Sequence, residues 1–151
     1  MACMRRLVVL LSLLCMACTH HTLVHSFRSI PEEGWRRTDT LIFTLPTTLD
    51  DAEYALYIDL RLHNRFPYRE LWLAVEHGVA GERGSICDTL CCHLSDQEGK
   101  LSGQGINLLQ YETRAGTLPL QAGRQTQIRI HHLMRRETLP YIIEVGVRVA
   151  P

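Results

Sequence analysis

Tyr54-Ala55-Leu56-Tyr57-Ile58-Asp59-Leu60-Arg61-Leu62-His63 is the stretch on which the fold turns. Tyr54, Leu56, Ile58, Leu60 and Leu62 recur at every second position, with Asp59, Arg61 and His63 between them. Successive side chains of a strand point to opposite faces, so this spacing predicts a half-buried strand with one apolar and one polar side.

The same period of two continues outward. Leu41, Phe43 and Leu45 precede this stretch. Leu71, Leu73 and Val75 follow it, then Leu90, Cys92 and Leu94 more weakly, Ile128 with Ile130, and finally Ile143, Val145, Val147 and Val149. Turn-forming residues separate the runs: Pro46-Thr47-Thr48, Asn64 to Pro67, Gly78 to Gly84, Asp96 to Gly99, Gly103 to Gly105, Gly116 and Gly123. Strand and turn alternate roughly every 8–14 residues, which predicts an all-β fold, a single antiparallel β-sandwich of jelly-roll or immunoglobulin-like type. Only His131-His132-Leu133-Met134-Arg135-Arg136, before Pro140, reads as a short helix near the C-terminus.

The N-terminus sets the compartment. Arg5-Arg6 precede an apolar run from Leu7 to Leu14, and Cys15-Met16-Ala17-Cys18 follows. A basic start, a short apolar stretch and a small residue before a cysteine form a lipoprotein signal peptide, with cleavage after Ala17 and covalent lipid on Cys18. From Leu7 to Ala17 the run would reach only about 16 Å as a helix, against roughly 30 Å of hydrocarbon, so it is no membrane span. Cys15 stands where such signals usually carry Leu, which leaves an ordinary secretory signal cut elsewhere as the alternative. The expected organisation is a signal peptide over 1–17, a lipid anchor and tether over 18–28, and a β-sandwich domain over 29–151.

Sixteen basic residues balance sixteen acidic ones. Removal of Arg5 and Arg6 leaves 14 against 16, a net charge of −2 without long blocks of one sign. This pattern gives no electrostatic basis for nucleic-acid binding. The basic residues are fifteen Arg and the single Lys100, a bias with no functional explanation in the sequence.

Chemistry-bearing residues do not form a catalytic pattern. Cys87, Cys91 and Cys92 with His93 allow a metal site, but zinc ligands usually come as two separated pairs and no second pair follows. The plainer expectation is one small buried residue with free or locally paired thiols, and no metal. Adjacent Cys91 and Cys92 would face opposite sides of a strand. His131 and His132 are neighbours and do not share a helix face, and His20 and His21 lie in the tether. Gly103-Gln104-Gly105 lacks the lysine of a phosphate loop, and Asp50, Asp51 and Glu53 read as a solvated acidic turn. The chain is therefore expected to be no enzyme, with no cofactor beyond the lipid and no small-molecule substrate. If Leu71, Leu73 and Val75 face the core, Trp72 faces away, beside Tyr68 and Arg69, and Tyr57 likewise faces away from Leu56 and Ile58. Aromatic and Arg side chains off the core face suit a protein contact, a sugar-stacking surface or simple packing beneath a loop.

Taken in order, several motifs are shared with one family. They are Ser29-Ile30-Pro31 with Gly34-Trp35, Asp39-Thr40-Leu41, and Tyr54 to Arg61 with Asn64 and Phe66-Pro67-Tyr68. Leu71-Trp72-Leu73, Asp88-Thr89-Leu90, Leu94-Ser95-Asp96 with Gly99, and Gly103-Gln104-Gly105 follow. His131 to Arg136, Leu139-Pro140 and Glu144 to Arg148 close the set. The chain so read resembles the gliding-motility lipoprotein GldH family of the Bacteroidota. That resemblance implies a lipid-anchored protein of the cell envelope, linked to gliding and type IX secretion, with other envelope proteins as partners and Cys18 as the one transferable functional residue. Surface lipoproteins of these bacteria resemble one another in carrying acidic residues just after the cysteine; no acidic residue precedes Glu32 here, so the resemblance implies the periplasmic face of the outer membrane rather than the cell surface. The alternative is a glycan-binding lipoprotein of a nutrient-uptake system.

Overall fold

In the computed structural model, which describes residues 22–151, the deciding stretch forms the central strand β4 (Ala52–His63). Nine further strands accompany it: β1 (Val24–Ser29), β2 (Trp35–Arg36), β3 (Leu41–Thr44), β5 (Glu70–Val79), β6 (Ile86–His93), β7 (Leu108–Leu120), β8 (Thr126–His132), β9 (Thr138–Leu139) and β10 (Ile142–Ala150). One four-stranded sheet runs β1-β10-β4-β7, and the second runs β3-β8-β5-β6. A two-stranded ribbon, β2-β9, links their ends.

The antiparallel pairings nest. β1 pairs with β10, β2 with β9, β3 with β8, β4 with β7 and β5 with β6. The chain is thus one long hairpin rolled upon itself, with its tip between β5 and β6. That connectivity is a jelly roll, and it decides between the two sandwich types the alternation allowed.

Leu56, Ile58, Leu60 and Leu62 of β4 are buried as their spacing demanded, facing Leu71, Leu73 and Val75 of β5, Ile128 and Ile130 of β8 and Phe43 of β3. Each such side chain contributes about 1.5–3 kcal/mol of burial. Trp35 closes one end of this core, its indole Nε1 donating to the Asp39 carbonyl oxygen at 2.9 Å.

Four expectations are corrected. His131 to Arg136 is not helical: His131 and His132 end β8, whose burial alternates without a break from Thr126 to His132, and Thr138–Leu139 then pairs with Trp35–Arg36. Six residues are too few to nucleate a helix against a ladder already extended on both sides. The 18–28 tether is shorter than expected, because Val24–Ser29 forms β1 on β10. Cys18 itself lies outside the described residues, as do His20, His21 and residues 1–17, where a signal peptide is expected. Gly116 is no turn but a bulge inside β7, where Leu56 faces Gly116 and Tyr57 faces Arg114, and its φ of 144° suits only glycine. Ile143 points outward, 38% exposed, because a register shift at Ile142–Glu144 leaves Ile142 to continue the buried row of Val145, Val147 and Val149.

Candidate functional site

β1 enters the sandwich at Val24, opposite Val149, and runs toward Ser29. This gives the molecule two ends. Val24, Ala52, Leu120, Thr126 and Ala150 mark the end that receives the N-terminal segment. Ser29, His63, Glu70, His93, Leu108 and Ile142 mark the far end.

Exposed apolar side chains gather at the far end. Ile106 is 86% exposed, and Leu108 and Tyr141 are exposed beside it. Hydrogen bonds tie two of them to the end of β4: the Asn64 side-chain Nδ2 donates to the Ile106 carbonyl at 3.1 Å, and His63 N donates to the Tyr141 carbonyl at 2.8 Å. His63 and Arg65 both lie against the Tyr141 ring, the Arg65 guanidinium 5.7 Å from its centre. Below them an open groove of about 720 Å³ runs between Asn64, Phe66, Lys100, Gly103 and Leu109. The sequence offered a faint signal for this rim in Ile106 and Leu108, apolar residues beside a glycine turn, but no period placed them.

The four aromatic and Arg residues singled out from the sequence separate into two places. Trp72 faces outward from the second sheet, 42% exposed, with its Nε1 donating to Glu70 Oε2 at 3.2 Å. Tyr68 and Arg69 lie just before β5 at the same end. The Tyr68 ring packs edge-on against Phe66, and the Arg69 guanidinium covers the Gly99 turn. Tyr57 stands apart on the outer face of the first sheet, where the Arg148 guanidinium lies 4.0 Å over its ring. No single aromatic platform unites the four.

The outer face of the first sheet is a layer of paired charges and rings. Arg148 Nε donates to Glu112 at 2.8 Å, and Arg61 Nη1 donates to Glu144 at 2.6 Å while its guanidinium lies 4.1 Å over Phe27. The planar guanidinium stacks on rings as an ammonium does not, which gives the excess of Arg over Lys a physical use here. Within this layer Asp59 is buried, and its Oδ2 lies 2.8 Å from His25 Nε2. Burial pushes the Asp59 carboxyl above the usual range, with His25 opposing the shift.

The thiols take different faces, as adjacency in a strand requires. Cys92 is buried in the core, its pKa raised to about 11, chiefly by burial. Cys91 faces outward opposite Trp72, and Cys87 is exposed four residues earlier on β6. All three are free. The set that the sequence merely allowed, Cys87, Cys91, Cys92 and His93, does not converge. Cys91 and His93 instead meet Glu70 of β5, a residue the sequence did not single out. Asp51 is structural, accepting from Ala122 N at 2.7 Å. No helix among the described residues is long and apolar enough to cross a membrane.

Comparison with known proteins places this geometry in context. The sequence model of a family described as GldH lipoprotein matches residues 22–149. The "Gliding motility lipoprotein GldH" of Flavobacterium johnsoniae is 24% identical over 150 residues, covering 95% of this chain and 93% of that one. Among solved structures, the C-terminal domain of EclA, a sugar-binding protein, has a TM-score of 0.37 at 11% identity, over 90% of this chain and 80% of its own. The Eiger TNF of S. frugiperda has a TM-score of 0.34 at 9% identity, over 85% and 92%. With scores that low, neither structure bears on function.

Proposed function

The chain belongs to the GldH lipoprotein family, and on that premise we propose that it is a non-catalytic assembly component of the gliding machinery and its associated type IX secretion apparatus. As a gliding-motility lipoprotein it works from the cell envelope, held at a membrane among envelope partners. Cleavage after Ala17 leaves Cys18 as the acylated first residue, at the periplasmic face of the outer membrane. Acyl chains at about 0.8 kcal/mol per buried methylene make that anchor effectively permanent.

The observation that supports this reading is the polarity of the sandwich. Six Cα steps separate Cys18 from Val24, a span of at most about 20 Å. The end bearing Val24 thus stays close to the bilayer, while the apolar rim of Ile106, Leu108 and Tyr141 faces away from it. Tyr68, Arg69 and Trp72 stand at that far end and belong to the same partner-facing region. Tyr57, capped by Arg148 on the outer face of the first sheet, contributes stability rather than contact. Tethering raises the effective concentration of a partner held by the same envelope, so modest contact suffices.

Two experiments test the proposal. Cys18→Ala releases the domain into the soluble periplasmic fraction; retention on membranes would overturn the anchor. A photoreactive residue at Ile106 captures an envelope protein in gliding cells, whereas one at Leu49, exposed at the membrane-side end, does not. Recovery of polysaccharide alone from Ile106 would favour the glycan-binding alternative.

A further inference from the structure

Glu70, Cys91 and His93 bring a carboxylate, a thiol and an imidazole to one spot on the outer face of the second sheet. Their ligand atoms all lie within 4.8 Å of one another. The arrangement follows from strand geometry. Cys91 and His93 are two positions apart on β6 and share a face, while on β5 Glu70 is directly opposite His93 and Trp72 opposite Cys91. Three donors are thereby held by two hydrogen-bonded strands, not by loops.

We propose that Glu70, Cys91 and His93 form a three-ligand site for a borderline-soft divalent cation of the zinc type, with an open fourth position facing solvent. The donor set fits zinc, which takes thiolate, imidazole and carboxylate together. Bond lengths of about 2.0–2.2 Å to nitrogen and oxygen put tetrahedral ligand atoms about 3.3–3.5 Å apart. Glu70 Oε1 and His93 Nδ1 already stand 3.4 Å apart. Closing Cys91 onto the same ion needs a side-chain adjustment on the order of 1 Å.

Glu70 has a second partner besides His93. Trp72 Nε1 donates to Glu70 Oε2, leaving Oε1 turned to His93 and the carboxylate held in one orientation. Such outer hydrogen bonds orient first ligands and tune affinity. Trp72 is therefore a positioning residue for this site. Cys87, about 13 Å up the strand at four residues' rise, is outside it. The inference stands independently of the assembly role proposed above.

The test uses reduced full chain extracted in detergent, titrated with cobalt as a spectroscopic stand-in and then with zinc. One equivalent of cobalt gives a thiolate-to-metal charge-transfer absorption that zinc abolishes. Cys91→Ser removes the band; Glu70→Gln and His93→Gln each weaken binding at least about tenfold, and Trp72→Phe about tenfold. Cys87→Ser changes nothing. Metal bound only by His20 and His21 gives no thiolate band. Glu70 and His93 are exposed, so their variants keep the fold and their melting curves check it. Absence of the band in the parent protein overturns the proposal, as does its survival in Cys91→Ser or its loss in Cys87→Ser.

Discussion

His132 Nε2 donates to the carbonyl oxygen of Trp35 at 3.1 Å, and the two rings meet edge-on with centres 5.3 Å apart. This joins the end of β8 to β2 across 97 residues of chain. With Nε2 as donor, Nδ1 is left unprotonated, and it is buried without a hydrogen-bond partner. Burial holds the His132 pKa below 6.5, outweighing the Trp35 and Glu137 backbone groups that favour its protonation.

Acid should therefore weaken the fold. His77 is buried too, and its pKa is lowered by burial despite Asp88 nearby. For both histidines the folded pKa lies below the unfolded value of 6.5. Their contribution is complete above 6.5 and is lost as pH falls through the folded values. Denaturant unfolding at a series of pH values should show stability dropping below about 6.5. His132→Phe should be less stable by about 0.5–1.5 kcal/mol at neutral pH, since it removes the hydrogen bond to the Trp35 carbonyl, yet have a flatter acid limb.

Asp59 has the opposite sign. Its folded pKa is raised, so the protonated form favours the folded chain and that gain is lost as pH rises through the folded value. At neutral pH His25 supports the buried carboxylate. His25→Ala should cost about 1–3 kcal/mol there, and Asp59→Asn less, because the amide needs no counter-charge. The gap should close in acid, where Asp59 carries its proton. An equal gap at all pH values would show that the pair is not electrostatic.

Gly146 is reserved for Phe27. A Cβ at Gly146 would lie 2.7 Å from two carbons of the Phe27 ring, which is itself capped by Arg61. Gly146→Ala should destabilise by about 1–3 kcal/mol through overpacking. The damage should fall on β1, whose Phe27 faces Gly146. Faster amide exchange at Val24 to Ser29 than at β4 would report it.

Ile106→Asp should separate stability from function. The side chain is 86% exposed, so the melting temperature should stay within the range of a neutral surface change, about 0.5 kcal/mol. Gliding and crosslinking through the far end should nonetheless fall. Unaltered motility would exclude this rim as a contact.

Much of the sheet structure was legible because the signal is local. Leu56, Ile58, Leu60 and Leu62 share a face whatever they pair with, and adjacency alone put Cys91 and Cys92 on opposite sides. Misreadings occurred where one residue breaks the period. The bulge at Gly116 hid β7, and the shift at Ile142 to Glu144 moved Ile143 from core to solvent. His131 to Arg136 lacks an apolar alternation strong enough to announce that His132 is a core residue.

The sequence by itself determined a strand-built domain, because the strand period is written within a few consecutive residues. Only the tertiary structure decided the jelly-roll nesting, the meeting of Glu70 with Cys91 and His93, and the end of the sandwich on which Ile106 and Tyr141 stand. Those depend on register between strands separated by long stretches of chain. Register is chosen by the packing of all strands at once, so no single segment carries it.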